Sequence, residues 1–235
     1  MTDRRHASAA ARFFPSFFPS FFPRFGSLLA VSLALALAGC ATDPPTRFYS
    51  LLPGEPARQS AVASPAAAAP TDAAPVVVTL AAVRVPAQVD QPQWLVRLSD
   101  GSLQLLEQDR WAAPLREEFQ AALLEALTLR WGVVDSRTAP VRAAAAWRVV
   151  VDVSRFESIL GREARMEARW SLVAPAPGTA QLACAVSLRE AGDTPLALAR
   201  GHQRAVVSLA DAIGLQLRAL ARGEAGACLP SATPS

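Results

Sequence analysis

Ala164-Arg165-Met166-Glu167-Ala168-Arg169-Trp170-Ser171-Leu172 places an apolar residue at every even position and a charged or polar one between. That two-residue period belongs to a strand with one face in a core and the other in water. Upstream, Trp147, Val149, Val151 and Val153 alternate in the same way with Arg148, Asp152 and Ser154. Downstream of the break at Pro175-Ala176-Pro177-Gly178, the pattern returns in Leu182, Cys184, Val186 and Leu188. Three successive runs of this kind predict half-buried antiparallel strands.

Further towards the N-terminus, Ser99-Asp100-Gly101-Ser102 separates Trp94-Leu95-Val96-Arg97-Leu98 from Leu103-Gln104-Leu105-Leu106. The Asp-Gly step predicts a hairpin, because Gly supplies the positive φ that tight turns need. Val76 to Val85 is a β-branched run closed by Pro86, and Arg47-Phe48-Tyr49-Ser50-Leu51-Leu52 reads as a first strand. Residues 53–75 between them are rich in Ala, Pro and Ser, the composition of a flexible loop.

A helix is expected from Pro114, whose ring suits the first helical position, with Glu117 and Glu118 complementing the dipole. Leu115, Phe119, Ala122, Leu123, Ala126 and Leu127 form its apolar stripe, and Leu124 points away as a contact point for a partner. A second helix is expected to open at Ser208, with Asp211 three residues on, and to bury Leu209, Ile213, Leu217 and Leu220. Gly223 ends it. Strands, helix, strands, helix give an α+β fold. The expectation is a single domain over residues 47–229, with a mixed, mostly antiparallel sheet, two main helices packed on one face, and a short tail at 230–235.

The N-terminal region follows other rules. Arg4, Arg5, Arg12 and Arg24 precede an apolar run from Leu28 to Ala38, the layout of an export signal. At about 11 residues the run is short of the roughly 20 that span a bilayer. It ends in Leu37-Ala38-Gly39-Cys40, which resembles the bacterial lipobox, in which the cysteine receives diacylglycerol and cleavage falls just before it. The expected division is a signal peptide at 1–39 and a lipidated tether at 40–46, with Cys40 as the lipid attachment site. Ala41 stands where an aspartate would resemble an inner-membrane retention signal, so the outer membrane is the expected destination. Six residues between Cys40 and Arg47 reach about 20 Å at full extension. The domain is therefore expected close to its membrane.

Removing residues 1–39 takes away four of the 23 arginines and one of the 20 acids, leaving 19 of each. The basic pI of about 9.2 thus belongs to the signal and gives no support for nucleic-acid binding. The chain contains no lysine, which excludes a P-loop lysine, a Schiff base and a Ser/Lys dyad. His202 is the one histidine after residue 39, too few for most zinc sites, and HExxH, GxSxG, CxxC and GxGxxG are absent. His202, Ser208 and Asp211 can be drawn as a triad, but their spacing matches no strained nucleophile turn. No catalytic residue, cofactor or metal is therefore expected. Trp94, Trp111, Trp147 and Trp170 read either as core packing or as the lining of a lipid groove. Cys184 and Cys228 read as a disulfide in an oxidising compartment, or Cys184 as a small buried hydrophobe.

With the segments placed, the chain resembles the PqiC/YmbA group of ABC-type transport auxiliary lipoproteins, which accompany MCE-domain lipid transporters of the Gram-negative envelope. The matching pieces after the lipobox are Phe48-Tyr49-Ser50-Leu51, Val83-Arg84-Val85-Pro86, Asp90-Gln91-Pro92-Gln93, Asp109-Arg110-Trp111-Ala112-Ala113-Pro114-Leu115, Val151-Asp152-Val153-Ser154-Arg155-Phe156 and Ala168-Arg169-Trp170-Ser171-Leu172. Gln91 departs from the arginine expected there, and the 53–75 loop is longer than usual. The resemblance implies a non-enzymatic outer-membrane component of an ABC/MCE intermembrane phospholipid transport system. It would dock a periplasm-spanning MCE-domain partner and support envelope integrity. Asp90, Gln91, Pro92, Gln93, Arg110, Trp111 and Pro114 are the expected partner surface, or else turn and helix-entry structure. Exposed sheet edges would permit a homo-oligomer. The competing function is a lipoprotein scaffold or activator of another envelope machine, such as a cell-wall synthase or a lipopolysaccharide-assembly complex.

Overall fold

The computed structural model describes residues 44–54, 75–139, 146–176 and 181–228. Along the chain these form β1 (Arg47–Tyr49), β2 (Val76–Arg84), β3 (Gln93–Arg97), β4 (Leu103–Trp111), α1 (Leu115–Trp131), β5 (Val133–Asp135), β6 (Trp147–Ile159), β7 (Arg162–Val173), β8 (Gln181–Gly192) and α2 (Pro195–Ala221). All belong to one compact unit, Pro45–Ser235. The fold is an α+β domain built on one eight-stranded mixed sheet.

β6 organises the sheet. On one side it pairs antiparallel with β7, which pairs antiparallel with β8, and these are the long pairings. On the other side its beginning runs parallel to β2, and its last residue, Ile159, pairs with Arg97 of β3. The sheet therefore forks along β6. One branch continues from β2 to a parallel β5, the other from β3 to an antiparallel β4 and then a parallel β1.

The alternation read from Trp147 to Val153 holds: Val149, Val151 and Val153 are buried opposite Leu172, Trp170 and Ala168. It then changes phase, because Ser154 is an extra residue, Val153 facing Ala168 and Arg155 facing Glu167. A bulge shifts every later side chain to the other parity. Phe156 and Ser158 consequently enter the core opposite Met166 and Ala164. The opposite face of the sheet is charged, with Arg84–Asp152 at 3.1 Å, Arg97–Glu157 at 2.9 Å and Arg155–Glu167 at 3.2 Å.

Both helices cover the inner face. Leu115, Phe119, Leu123 and Leu127 of α1 are fully buried, each contributing about 1.5–3 kcal/mol of hydrophobic stabilisation. Leu124 is half-buried and packs partly against the same core. Pro114, expected as the first helical residue, lies one position before it as the cap, and its side chain makes no capping bond. Asp90 serves instead, its Oδ1 accepting from Arg116 N at 3.1 Å. The Asp-Gly hairpin forms with Gly101 at φ 87.

α2 is the larger correction. It starts at Pro195, with Thr194 Oγ1 accepting from Ala197 N at 3.2 Å, so Ser208 lies in mid-helix instead of at a start. Its first half is buried through small and polar residues, Ala199, Gly201, His202 and Ala205, which carry little hydrophobic signal. Gly201 allows close packing there, since a Cβ would stand 3.1 Å from both Ala164 Cβ and Glu190 Cβ and those neighbours would have to give way. The helices lock where Asp211 accepts from Arg130 Nε at 2.6 Å, Arg130 Nη2 at 2.8 Å and Trp131 Nε1 at 3.0 Å, with the Trp131 ring seated on Gly214.

Candidate functional site

Residues 47–52 are held to the body at three points. Asp109, buried on β4, accepts from Arg47 Nη2 at 3.0 Å and from the Tyr49 hydroxyl at 2.9 Å. The ion pair raises the Arg47 pKa, and burial, with the bond to Asp109 second, raises that of Tyr49. Glu118, buried in the first turn of α1, accepts from Ser50 Oγ at 2.6 Å and Leu51 N at 2.8 Å. Gln203 of α2 donates from Nε2 to the Ser50 carbonyl at 2.8 Å and the Leu52 carbonyl at 3.3 Å. Only Arg47–Tyr49 is strand, against the expected 47–52, because Ser50, Leu51 and Leu52 spend their polar groups on the helices.

Behind this clamp lies an aromatic nest. Tyr49 meets Trp94 at 5.0 Å, Trp94 meets Trp111 at 4.5 Å, and Trp111 meets Phe156 at 6.0 Å. Phe156 stacks on His202 at 3.8 Å. Trp94, Trp111 and Trp170 are buried, so of the two readings of these tryptophans the structure favours packing. His202 is fully buried and its pKa is pushed down to about 3 by that burial, so the ring is neutral. Its Nε2 shares a 2.9 Å bond with Ser158 Oγ, which accepts from Trp94 Nε1 at 2.9 Å. Asp211 is engaged by Arg130 and Trp131, and Ser208 is exposed, so the drawn triad does not assemble. The true partner, Ser158, was invisible in sequence because the bulge at Ser154 brings it inward.

The two stretches expected as a partner surface are joined. Gln93 pairs with Arg110, Trp111 N donates to the Pro92 carbonyl at 2.8 Å, and Asp90 forms an ion pair with Arg116 at 2.8 Å. Trp111 is itself buried in the nest and presents no surface; Pro92 is exposed, and Asp90, Gln91, Gln93, Arg110 and Pro114 are half-buried. Asp90 and Pro114 do form helix-entry structure. The Arg110 Nε is buried without a partner among the described residues.

Cys40 lies outside the described residues, as do most of 53–75 and the tail at 230–235. Cys184 of β8 is disulfide-bonded to Cys228, beyond the end of α2. Gln216 helps seat this segment, accepting from Trp170 Nε1 at 2.8 Å and donating to the Ala227 carbonyl at 3.1 Å. Among the described residues no group of three or more His, Cys, Asp or Glu is placed to hold a metal ion, and no helix is long and apolar enough to cross a membrane.

Beside the clamp, Phe48, Tyr49, Leu196, Ala199, Arg200 and Gln203 line an open recess. Its rim is apolar, with Phe48 66% and Leu196 49% exposed.

No curated protein matches the chain. A crystal structure of an uncharacterized protein shares its fold at 16% identity and TM-score 0.50, covering 60% of this chain and 92% of that one. A Xanthomonas campestris protein of the DUF330 family is 20% identical over 66% of this chain and 92% of its own, with TM-score 0.48. The model of the ABC-type transport auxiliary lipoprotein component family matches residues 59–214, from ahead of β2 into α2. That match takes in β2 to β8, α1 and most of α2, and with it the chain belongs to the ABC-type transport auxiliary lipoprotein component family.

Proposed function

We propose that this protein is a lipid-anchored, non-enzymatic component of an intermembrane phospholipid transport system. It is held at the outer membrane through Cys40, faces the periplasm, docks an MCE-domain protein of an inner-membrane ABC-type transporter, and so supports envelope integrity. The observation that carries the reading is the family match over 59–214, in a chain whose Leu37-Ala38-Gly39-Cys40 has the form of a lipid-attachment site. The clamp supports it physically. Six residues separate Cys40 from a segment bonded to Asp109, Glu118 and Gln203, so attachment would fix the position of the body as well as its location. The neutral His202, paired with a serine and a tryptophan and no carboxylate, supports the non-enzymatic part.

The node, exposed at Pro92 and Ala112 with half-buried Gln91 beside them, is the docking contact in this reading. Its test is cross-linking in intact envelopes from Pro92 and Ala112, where recovery of an MCE-domain protein is expected. Recovery of a cell-wall synthase instead would overturn the transport assignment. The anchor is tested by Cys40→Ala, which should leave a folded, soluble periplasmic protein with no palmitate label. If the wild type takes up no label and the variant stays in the outer-membrane fraction, the anchor is wrong.

A further inference from the structure

The recess beside the clamp brings together residues far apart in sequence. Phe48 comes from the edge strand β1, and Leu196 and Arg200 lie one turn apart near the start of α2. Phe48 and Leu196 are exposed side by side on one recess, and contiguous exposed apolar surface marks contacts. Arg200 has no ion-pair partner among the described residues, unlike its neighbour Arg204, which pairs with Glu190 at 2.7 Å. A cation beside apolar side chains suits the boundary of a bilayer, where phosphates lie just outside the acyl chains.

The position of the recess decides between occupants. Arg47 and Ser50–Leu52 are bonded to the body on either side of Phe48, so the chain leading back to Cys40 departs next to that ring. The steps from Cys40 to Arg47 span about 25 Å when extended and less otherwise. Another copy or a transport partner could be met anywhere on the surface, but the membrane holding the Cys40 lipid must lie near this edge.

We infer that the recess is a membrane-contact site: Phe48 and Leu196 enter the headgroup boundary of the bilayer that holds the Cys40 lipid, and Arg200 meets lipid phosphates. This rests on the anchored reading of Cys40. It adds that the domain lies against the bilayer in one orientation, with the charged open face of the sheet turned elsewhere.

The test uses the mature lipidated protein in vesicles of phosphatidylethanolamine and phosphatidylglycerol. A fluorophore sensitive to water is attached in separate variants, Phe48→Cys, Leu196→Cys and, on the open sheet face, Ser187→Cys. Nitroxide lipids labelled near the headgroup should quench the first two several-fold more than the third. In the unlipidated Cys40→Ala chain, replacing Phe48 and Leu196 by Ser and Arg200 by Gln should lower vesicle binding about tenfold. Equal quenching at all three sites in protein that floats with vesicles would overturn the inference while leaving the anchor intact. So would cross-links between Phe48→Cys sites of two copies without lipid quenching. Failure of the wild type to float would remove the anchor, and the inference with it.

Discussion

Glu118→Ala separates the clamp from the rest of the fold. Its Oε2 accepts two bonds, from Ser50 Oγ and from Leu51 N, and Leu51 is 1% exposed. Truncation leaves a buried N–H with no acceptor and no room for water to reach it readily, a loss of about 1–3 kcal/mol. The lost bond to the Ser50 hydroxyl adds roughly 1 kcal/mol, softened because that hydroxyl oxygen also accepts from Leu52 N at 3.1 Å. The total is about 3 kcal/mol for Ala. Glu118→Gln keeps an acceptor oxygen in place and should cost about 1 kcal/mol, the difference between a charged and a neutral acceptor. Urea unfolding followed by tryptophan fluorescence measures both. Tryptic cleavage after Arg47 reports the clamp directly, and should speed up in the Ala variant before global unfolding begins. If Ala and Gln lose the same stability, or if cleavage after Arg47 is unchanged in Ala, Glu118 does not hold residues 47–52.

Three further outcomes follow from buried or close-packed groups. His202 is held neutral, with its pKa lowered to about 3 from 6.5, so below pH 6.5 the unfolded chain binds a proton that the native state refuses. Stability should fall by up to about 1.4 kcal/mol per pH unit as pH drops from 6.5 towards 3, and be free of this penalty above 6.5; identical pH slopes for the wild type and His202→Gln would refute this. Gly214→Ala puts a Cβ into the Trp131 ring and should cost about 1–3 kcal/mol, with a red-shifted tryptophan emission as that ring is displaced. Cys228→Ser opens a bond between residues 44 apart and should lower stability by up to about 4 kcal/mol in the chain-entropy model, seen as a lower denaturation midpoint without change in the far-ultraviolet spectrum at rest.

The sheet was legible wherever one face is apolar and the other charged, as in Ala164–Leu172, and the α1 stripe was legible for the same reason. The phase change in β6 was not, because an inserted Ser154 has no signature of its own and is defined only by its neighbour strand. The first half of α2 escaped because much of its buried face is small or polar, Ala199, Gly201, His202 and Ala205, although Thr194-Pro195 is a start signal that could have been read. The clamp was hidden for a different reason. Asp109 and Glu118 are ordinary charged residues in sequence, and what they hold, residues 47–52, lies some sixty positions away.

The parallel pairing of β1 with β4 has a mechanical meaning. A pull along β1 would load its three paired residues and the Arg47–Asp109 contact together, in shear, and not one bond at a time. Ser50 and Leu51 then pass the remaining pull into the first turn of α1 and, through Gln203, into α2. A load entering at Arg47 is thus shared among a strand and two helices and does not fray the domain from its end.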